Sequence, residues 1–324
     1  MTWSLKQLAE ISNGEVVGDG SSTVFGLCSS EKPIKNFLAF SLTEKTSKKL
    51  KKNDCYIISE NKPYKGIQHP DPKTLFAKIM KKIQPKFEKP NNLIDAKSHI
   101  SKSAKVGKNT RVGPFVFIGE NVVIEEDVEI HAFSFIGNNS KIEKGSLLMP
   151  HSIIMDNCEI GQKTLIGPGS VIGNAGFNIH QNEDGLFRMP HMGGVNIGKN
   201  VTVGALNTVD SGLIDSTKVK DNVKTDSQVH IAHNVELGKN SLIAAKSGIA
   251  GSSKVGKNFR AGGRVGVSDH TNIGENVTAG VGSMIISDIE DNETVLGYPA
   301  RKKKITLAIW ASLKKIPEWL KKRK

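Results

Sequence analysis

The chain has 324 residues, 37% of them hydrophobic and only 6% aromatic, with a formal net charge of +13. That apolar content suffices for a buried core and two or three domains. No apolar stretch approaches the roughly 18 residues of a membrane span, so no transmembrane helix is expected. The opening MTWSLKQLAEISNGEVVGDG holds no apolar run long enough for an export signal. Cys28, Cys55 and Cys158 form a sparse, odd set without metal-ligand spacing, and a reducing, cytoplasmic location is expected.

Residues 1–98 show no repeat. WSLKQLAEIS reads as a helix, GEVVG as a strand after a turn, and NDCYIISE as a further strand. DPKTLFAKIMKKI reads as an amphipathic helix with Asp71 placed to cap it. These elements predict a small α/β domain. QPKFEKPNNLIDAKS, rich in Pro and Asn, is the linker.

Residues 99–290 behave differently. From Ile100 to Ile285 the chain repeats every six residues, as in IGENVV-IEEDVE-IHAFSF-IGNNSK-IEKGSL. Ile118, Ile124, Ile130, Ile136 and Ile142 hold the first place. Val122, Val128, Ser134, Ser140 and Ser146 hold the fifth. A helix repeats near 3.6 and a strand at 2, so neither fits. Hexapeptide periodicity marks a parallel β-helix, with three hexads per triangular coil, the first and fifth places inward, and Gly or Asn near the corners. Roughly thirty hexads give about ten coils, spaced about 4.8 Å apart. Cys158 falls in the small inward column. Residues 178–194, NIHQNEDGLFRMPHMGG, break the period and are expected to leave the wall as a loop. A smaller slip lies at VDSGLIDSTKV, where Val209 to Val219 spans ten residues where twelve would keep the period. The glycines of GPGSVIGNAG belong to corners of the coil, since no GK[ST] follows.

Residues 291–324 contain LGYPARKKK and a short basic amphipathic helix with Trp310 and Trp319. This segment and the runs TSKKLKKNDC and KIMKKIQPKFEK carry much of the positive charge. Such runs are solvated faces or docking surfaces for an acidic partner. Nucleic acid is not an expected partner, because no basic groove interleaved with aromatics accompanies them. The flat walls of a triangular prism stay partly apolar, which predicts a cyclic homotrimer with clefts between prisms.

Residues 18 apart stack on one wall. His233, Gly251 and Asp269 therefore form a column at the third, outward place, and His270 follows Asp269 about two rungs, or roughly 10 Å, above His233. A histidine base, a bare glycine amide and a second histidine make a workable acyl-transfer site, although both histidines are equally compatible with a surface turn. His230 and His233 have H-x-x-H spacing, but in a strand they point to different faces, so shared metal ligation is not expected. His180 and His191 sit in the extruded segment, within reach of a ligand.

QVHIAHNVELG, GIAGSSKVG and GFNIHQNEDGLFRMPHMGGVNIG, in the order α/β domain, hexapeptide helix and C-terminal helix, resemble the UDP-3-O-acylglucosamine N-acyltransferases of lipid A biosynthesis. The resemblance covers nearly the whole chain. It is strongest from Gly176 to His270 and weakest in the first 98 residues. It implies a left-handed parallel β-helix and transfer of a 3-hydroxyacyl chain from acyl carrier protein to the 2-amino group of UDP-3-O-acylglucosamine. His233 would be the general base, Gly251 N–H the oxyanion donor and His270 a second catalytic residue. Phe40, Asn234, Asp226, His191 and Phe177 would bind substrate. No metal or bound cofactor is implied, the donor being carried on phosphopantetheine.

The chain departs from the family pattern in places. In AFSLTEKT, Phe40 matches the uracil-binding aromatic, while Thr43 and Thr46 stand where Asn and Tyr are expected. DSG at Asp210–Gly212 replaces DRG, and Ser227 stands in an Asn place. An acyl- or acetyltransferase acting on another nucleotide-linked amino sugar, with acyl-CoA or acyl carrier protein as donor, therefore stays open. So do a zinc-dependent carbonic anhydrase of the same fold and a binding solenoid without catalysis.

Overall fold

The computed structural model describes residues 3–84, 93–297 and 303–321. The chain divides into two compact units, 1–88 and 89–324.

In the first unit β1 (Trp3–Ser4) leads into α1 (Leu5–Ala9), then β2 (Glu15–Val17), β3 (Thr23–Val24), β4 (Leu38–Phe40), α2 (Glu44–Lys52), β5 (Tyr56–Ser59), β6 (Gly66–Gln68) and α3 (Pro72–Ile83). The predicted first helix is shorter than its sequence signal. Ser4 caps it through a reciprocal pair with Gln7, and it tightens into a 3₁₀ turn over Glu10–Ser12. The four-stranded sheet runs β2-β6-β5-β4, with only the β2–β6 pair antiparallel. β5 is buried along its whole length, which accounts for its unbroken apolar run. Asp71 caps α3 as predicted, its Oδ1 accepting from Thr74 N–H at 3.0 Å, with Pro72 in the first turn. Leu5, Leu8, Leu38, Ile58, Ile67, Leu75 and Ile79 are the buried core of this unit.

The second unit is a parallel β-helix of two- to five-residue strands in walls of ten, nine and ten. Ile118, Ile136 and Ile154 stack in register 18 apart. The first-place isoleucines and fifth-place residues are buried as the period requires. The buried fifth-place serines satisfy corner backbone groups. Ser140 Oγ donates to Met155 O at 2.9 Å and accepts from Cys158 N–H at 3.1 Å. A valine there leaves those groups unpaired. Cys158 is in the core, and burial pushes its thiol up to about 12.

The fourth place of the hexad turns most corners at positive φ, most often with asparagine, a residue that tolerates the left-handed region. From Asn200 through Asn222, Asn240, Asn258 and Asn276 to Asn292, each side-chain Nδ2 donates to the next Oδ1 at 2.6–3.3 Å.

Two expectations need correction. The extruded segment is not an irregular loop: Ile179–Asn182 and Gly185–Arg188 pair as an antiparallel hairpin, with Gly185 at φ +123 in its turn. The second irregularity is an insertion, not a deletion. Val209 and Val219 are both inward residues of adjacent walls, where six residues are the rule, so ten means four extra. The coil lengthens accordingly, and Val209 pairs with Ile231, 22 residues on. Residues 212–216 absorb the excess outside the strands.

Candidate active site

The hairpin and the four-residue insertion flank one cavity of about 740 Å³ on the ten-stranded wall that contains His230–Ile231, Gly248–Ile249 and Gly266–Val267. His233, Gly251 and His270 all line it, as the 18-residue column predicts, with Phe177 at the hairpin base. Phe177 is 84% exposed.

His233 is held from two sides. Asn234 Oδ1 lies 3.3 Å from its Nδ1. The amide orientation of Asn234 is dictated by its other partners: Leu213 N–H donates to Oδ1 at 3.0 Å, and Nδ2 donates to Asp215 O at 3.1 Å. Nδ1 must therefore carry the hydrogen, which leaves the Nε2 lone pair toward the cavity. Asn234 itself turns a corner at φ +59, and its side chain ties the inserted residues to the histidine.

Gly251 lies directly against that ring. A Cβ at this position would come 2.6 Å from His233 Cε1 and Nε2. Its N–H occupies a place in the hexad that the coil ladder leaves open. At a few coils a side-chain oxygen of the following coil takes this amide, as Asn138 Oδ1 takes Glu120 N–H at 2.7 Å and Asp156 Oδ1 takes Asn138 N–H at 2.8 Å. The corresponding residue above Gly251 is Asp269, whose Oδ1 instead accepts from Ser268 Oγ at 3.1 Å. Among the described residues no hydrogen bond takes the Gly251 N–H. An unshielded donor beside an imidazole is what a developing oxyanion requires.

His191, on the segment between the hairpin and the next strand, packs edge-on against His233 with ring centroids 5.4 Å apart. Its Nδ1 donates to Met189 O at 3.0 Å. Its Nε2 is buried without a partner among the described residues. Burial, with His233 and Arg188 nearby, holds this imidazole below its ordinary range against the opposing Met189 hydrogen bond and the Asp210 charge. Gly176 permits the approach, since a Cβ there would lie 2.9 Å from both His191 Nε2 and His233 Cβ.

Two further residues escaped sequence reasoning as members of the site. Asp210 is buried, its Oδ1 accepting from Asn174 Nδ2 at 3.1 Å, and its Oδ2 is 3.5 Å from His230 Nε2. His230 and His233 share this cavity, contrary to the expected opposite faces, because the strand ends at Ile231 and His233 lies past its end.

Other predicted site residues lie elsewhere. Asp226 is exposed on a different wall, beside a separate hollow of about 600 Å³ with Lys224 and Arg260, so the fold of the chain does not bring it to His233. Phe40 packs against Phe76 at 5.0 Å, on the core of the first unit. A cavity of about 660 Å³ in that unit is lined instead by Thr43, Lys48, Lys51, Asn61 and Tyr64. Thr43 caps α2, accepting from Thr46 N–H at 3.2 Å. Of the basic C-terminal residues, Arg301, Lys302, Lys322, Arg323 and Lys324 lie outside the described residues.

Comparisons with known proteins agree with this architecture. The family Bacterial transferase hexapeptide (six repeats) matches residues 216–251, and the GMPPB C-terminal domain matches 94–181. An Arabidopsis UDP-N-acetylglucosamine acyltransferase shares the fold at 22% identity, with a TM-score of 0.53 over 63% of this chain and 71% of that one. LpxA from Acinetobacter baumannii does so at 20% identity, with a TM-score of 0.50 over 65% and 73%. A UDP-3-O-acylglucosamine N-acyltransferase of Caulobacter vibrioides is 51% identical over 40% of this chain and 39% of its own length. The enzyme of that name from Coxiella burnetii is 32% identical over 78% of this chain and 76% of its own. The one from Cytophaga hutchinsonii is 39% identical over 78% and 75%, and with identity of that order across three quarters of both chains this protein belongs to the UDP-3-O-acylglucosamine N-acyltransferase family.

Proposed function

We propose that His233 is the general base of N-acyl transfer to UDP-3-O-acylglucosamine, the acyl-transfer step of lipid A biosynthesis that the family performs, with acyl carrier protein as donor. The observation that carries this reading is the pairing of the His233 Nε2 face with the open Gly251 N–H. The acceptor amine attacks the thioester carbonyl, and Nε2 takes the amine proton as the C–N bond forms. The carbonyl oxygen becomes an oxyanion and accepts from Gly251 N–H. Collapse expels the phosphopantetheine thiolate, which recovers the proton from the imidazolium. Asn234 Oδ1, accepting from Nδ1–H, favours the charged imidazole formed in between. His270, across the same cavity, suits orientation of the donor or charge stabilisation. An amine held beside a thioester and deprotonated needs no metal.

The substitutions Thr43, Thr46 and Ser227 favour a second reading, in which the acceptor is another nucleotide-linked amino sugar. We further propose a cytoplasmic homotrimer, supported by exposed wall residues such as Phe115, Phe133 and Val281. No described helix is long and apolar enough to cross a membrane. The test is mass spectrometry of products from purified enzyme offered several carrier thioesters and amino-sugar nucleotides, with the His233→Ala variant alongside. A loss of about 10²–10⁴ in kcat with the oligomer intact is expected. Near-normal turnover removes His233 from the mechanism, and acylation of a different nucleotide sugar selects the second reading.

A further inference from the structure

Asp210 lines the cavity but has no part in the transfer steps. It is 2% exposed. Its Oδ1 accepts from Asn174 Nδ2 at 3.1 Å. A bulge at Gly173, where φ is +89, shifts the register of that strand and sets Asn174 opposite Asp210. The other oxygen, Oδ2, lies 3.5 Å from Nε2 of His230, whose side chain is half exposed. A buried carboxylate is costly unless a positive charge faces it. Among the described residues no lysine or arginine lines this cavity, so only an imidazole can provide that charge. His230 is on the same turn as His233. Gly248 is paired in register directly above it, as Gly251 lies above His233. A Cβ at Gly248 would meet nothing within 4 Å, so the space over His230 is open to the place where His233 and Gly251 meet the reacting groups.

We propose, on the amine-acylation reading above, that His230 backed by Asp210 takes the first of two protons from the acceptor nitrogen. The steps given for His233 start from a neutral amine. An amine flanked by electron-withdrawing oxygens resembles an α-amino group, with a pKa of about 7.7–8.0, so near neutral pH most of it is ammonium. An ammonium nitrogen loses two protons on its way to an amide. One passes through His233 to the departing thiolate, and the other has no carrier in those steps. The anionic oxygen beside His230 Nε2 favours the tautomer with its hydrogen there, which leaves the Nδ1 lone pair to accept. An N–H bond of the ammonium breaks, its electron pair stays on nitrogen as the nucleophilic lone pair, and Nδ1 takes the proton. The imidazolium so formed faces the Asp210 carboxylate, and the half-exposed ring then releases the proton to water. One ammonium and one thioester give an amide, a thiol and a solvated proton. His230 is thus a catalytic residue and Asp210 a positioning residue.

The test measures kcat/KM for the amino-sugar nucleotide, with saturating acyl-carrier thioester, in the parent, His230→Gln and Asp210→Asn. The other charged or titratable groups around the cavity are His233 on the same turn, Asp269 and His270 two coils up, and His191 and Arg188 from the hairpin side. These are common to parent and variant, so the ratio of the two rates at each pH isolates His230. An amine with a pKa of about 7.8 is about one-seventh neutral at about pH 7 and nearly all neutral at about pH 9. His230→Gln, confined to the neutral amine, should therefore be about sevenfold slower than the parent at the lower pH and within about twofold at the higher. Asp210→Asn should move in the same direction by less, because its imidazole remains. The melting curve of His230→Gln should match the parent's, the side chain being half exposed. His233→Ala, in contrast, should lose activity at both pH values. No loss in His230→Gln at the lower pH would overturn the proposal. So would a loss of equal size at both pH values, which would assign His230 to binding alone. A parent that acylates no amino sugar overturns the amine-acylation reading and this proposal together, whereas a flat ratio beside an active parent overturns this proposal alone.

Discussion

Along the ten-stranded wall, the outward sixth place of the hexad reads His99, Phe117, Phe135, Ile153 and Val171 in the first five coils. In the last five it reads Thr208, His230, Gly248, Gly266 and Met284. Apart from the bulge near Ile172 and the lengthened coil after Thr208, both halves carry the same parallel ladder. In the first half the rings of His99, Phe117 and Phe135 stack nearly parallel at 4.9 and 5.1 Å. A second ladder of Phe115, Phe133 and His151 stacks at 5.1 and 5.0 Å. These rings close the surface of the wall. In the second half two consecutive glycines leave it bare, and the cavity lies over them, overhung by His233 and His270. A solenoid therefore makes an active site by subtraction, removing side chains from a column that elsewhere is filled.

That contrast can be broken most severely at Gly251. Gly251→Ala puts a methyl against the His233 ring, and a fall of about 10²–10³ in kcat is expected, measured with saturating donor. Retained activity would show that the position of the His233 ring beside Gly251 is not used. Gly248→Phe asks whether the aromatic ladder can be continued into the cavity. A Cβ at Gly248 meets nothing within 4 Å, so the fold should tolerate the change. We expect kcat/KM lower by about 10² as substrate loses its place, with an unchanged melting curve.

The converse substitution in the other half, Phe117→Ala, should leave kcat unaltered. It removes two stacked contacts together worth about 1–3 kcal/mol, read as a melting temperature lower by several degrees. A matching loss of activity would mean the halves are not separable. The smallest effect concerns His191. Its imidazole titrates near 6.5 when unfolded and lower when folded, so folding disfavours the proton. The stability it contributes is complete above pH 6.5 and is lost as pH falls through the depressed folded value. His191→Gln should flatten the decline in melting temperature below pH 6.5, and an unaltered slope would place the responsible groups elsewhere.

The column from His233 to His270 was legible in sequence because no insertion lies above Ile231, so adding 18 reaches the residue one coil up. Asp210 was not legible as a member of the site for the opposite reason, and the packing of His191 on His233, which the sequence placed only as a substrate-binding residue, followed from no spacing. The hairpin puts 37 residues between paired positions such as Val171 and Thr208, and the next coil puts 22 between Thr208 and His230. A search at fixed period passes over both. The inward isoleucines and serines could be read because burial selects them directly. The first unit yielded its elements through caps and apolar runs, but its binding surface did not follow. Phe40 was picked by likeness to a motif, and likeness does not say which side of β4 meets the core.

The asparagine ladder passes through the same three coils, since Asn240, Asn258 and Asn276 belong to the turns that carry His233, Gly251 and His270, and Asn222 lies one coil below. Each amide donates upward and accepts from below, so the height of a coil is gauged at that corner by bonds of 2.8–3.3 Å. The ladder is thus a ruler laid along the edge of the prism. The separation between a base on one rung and an oxyanion donor on the next is graduated by residues that touch neither. Wear on a middle graduation severs two bonds, whereas wear at Asn292 severs one.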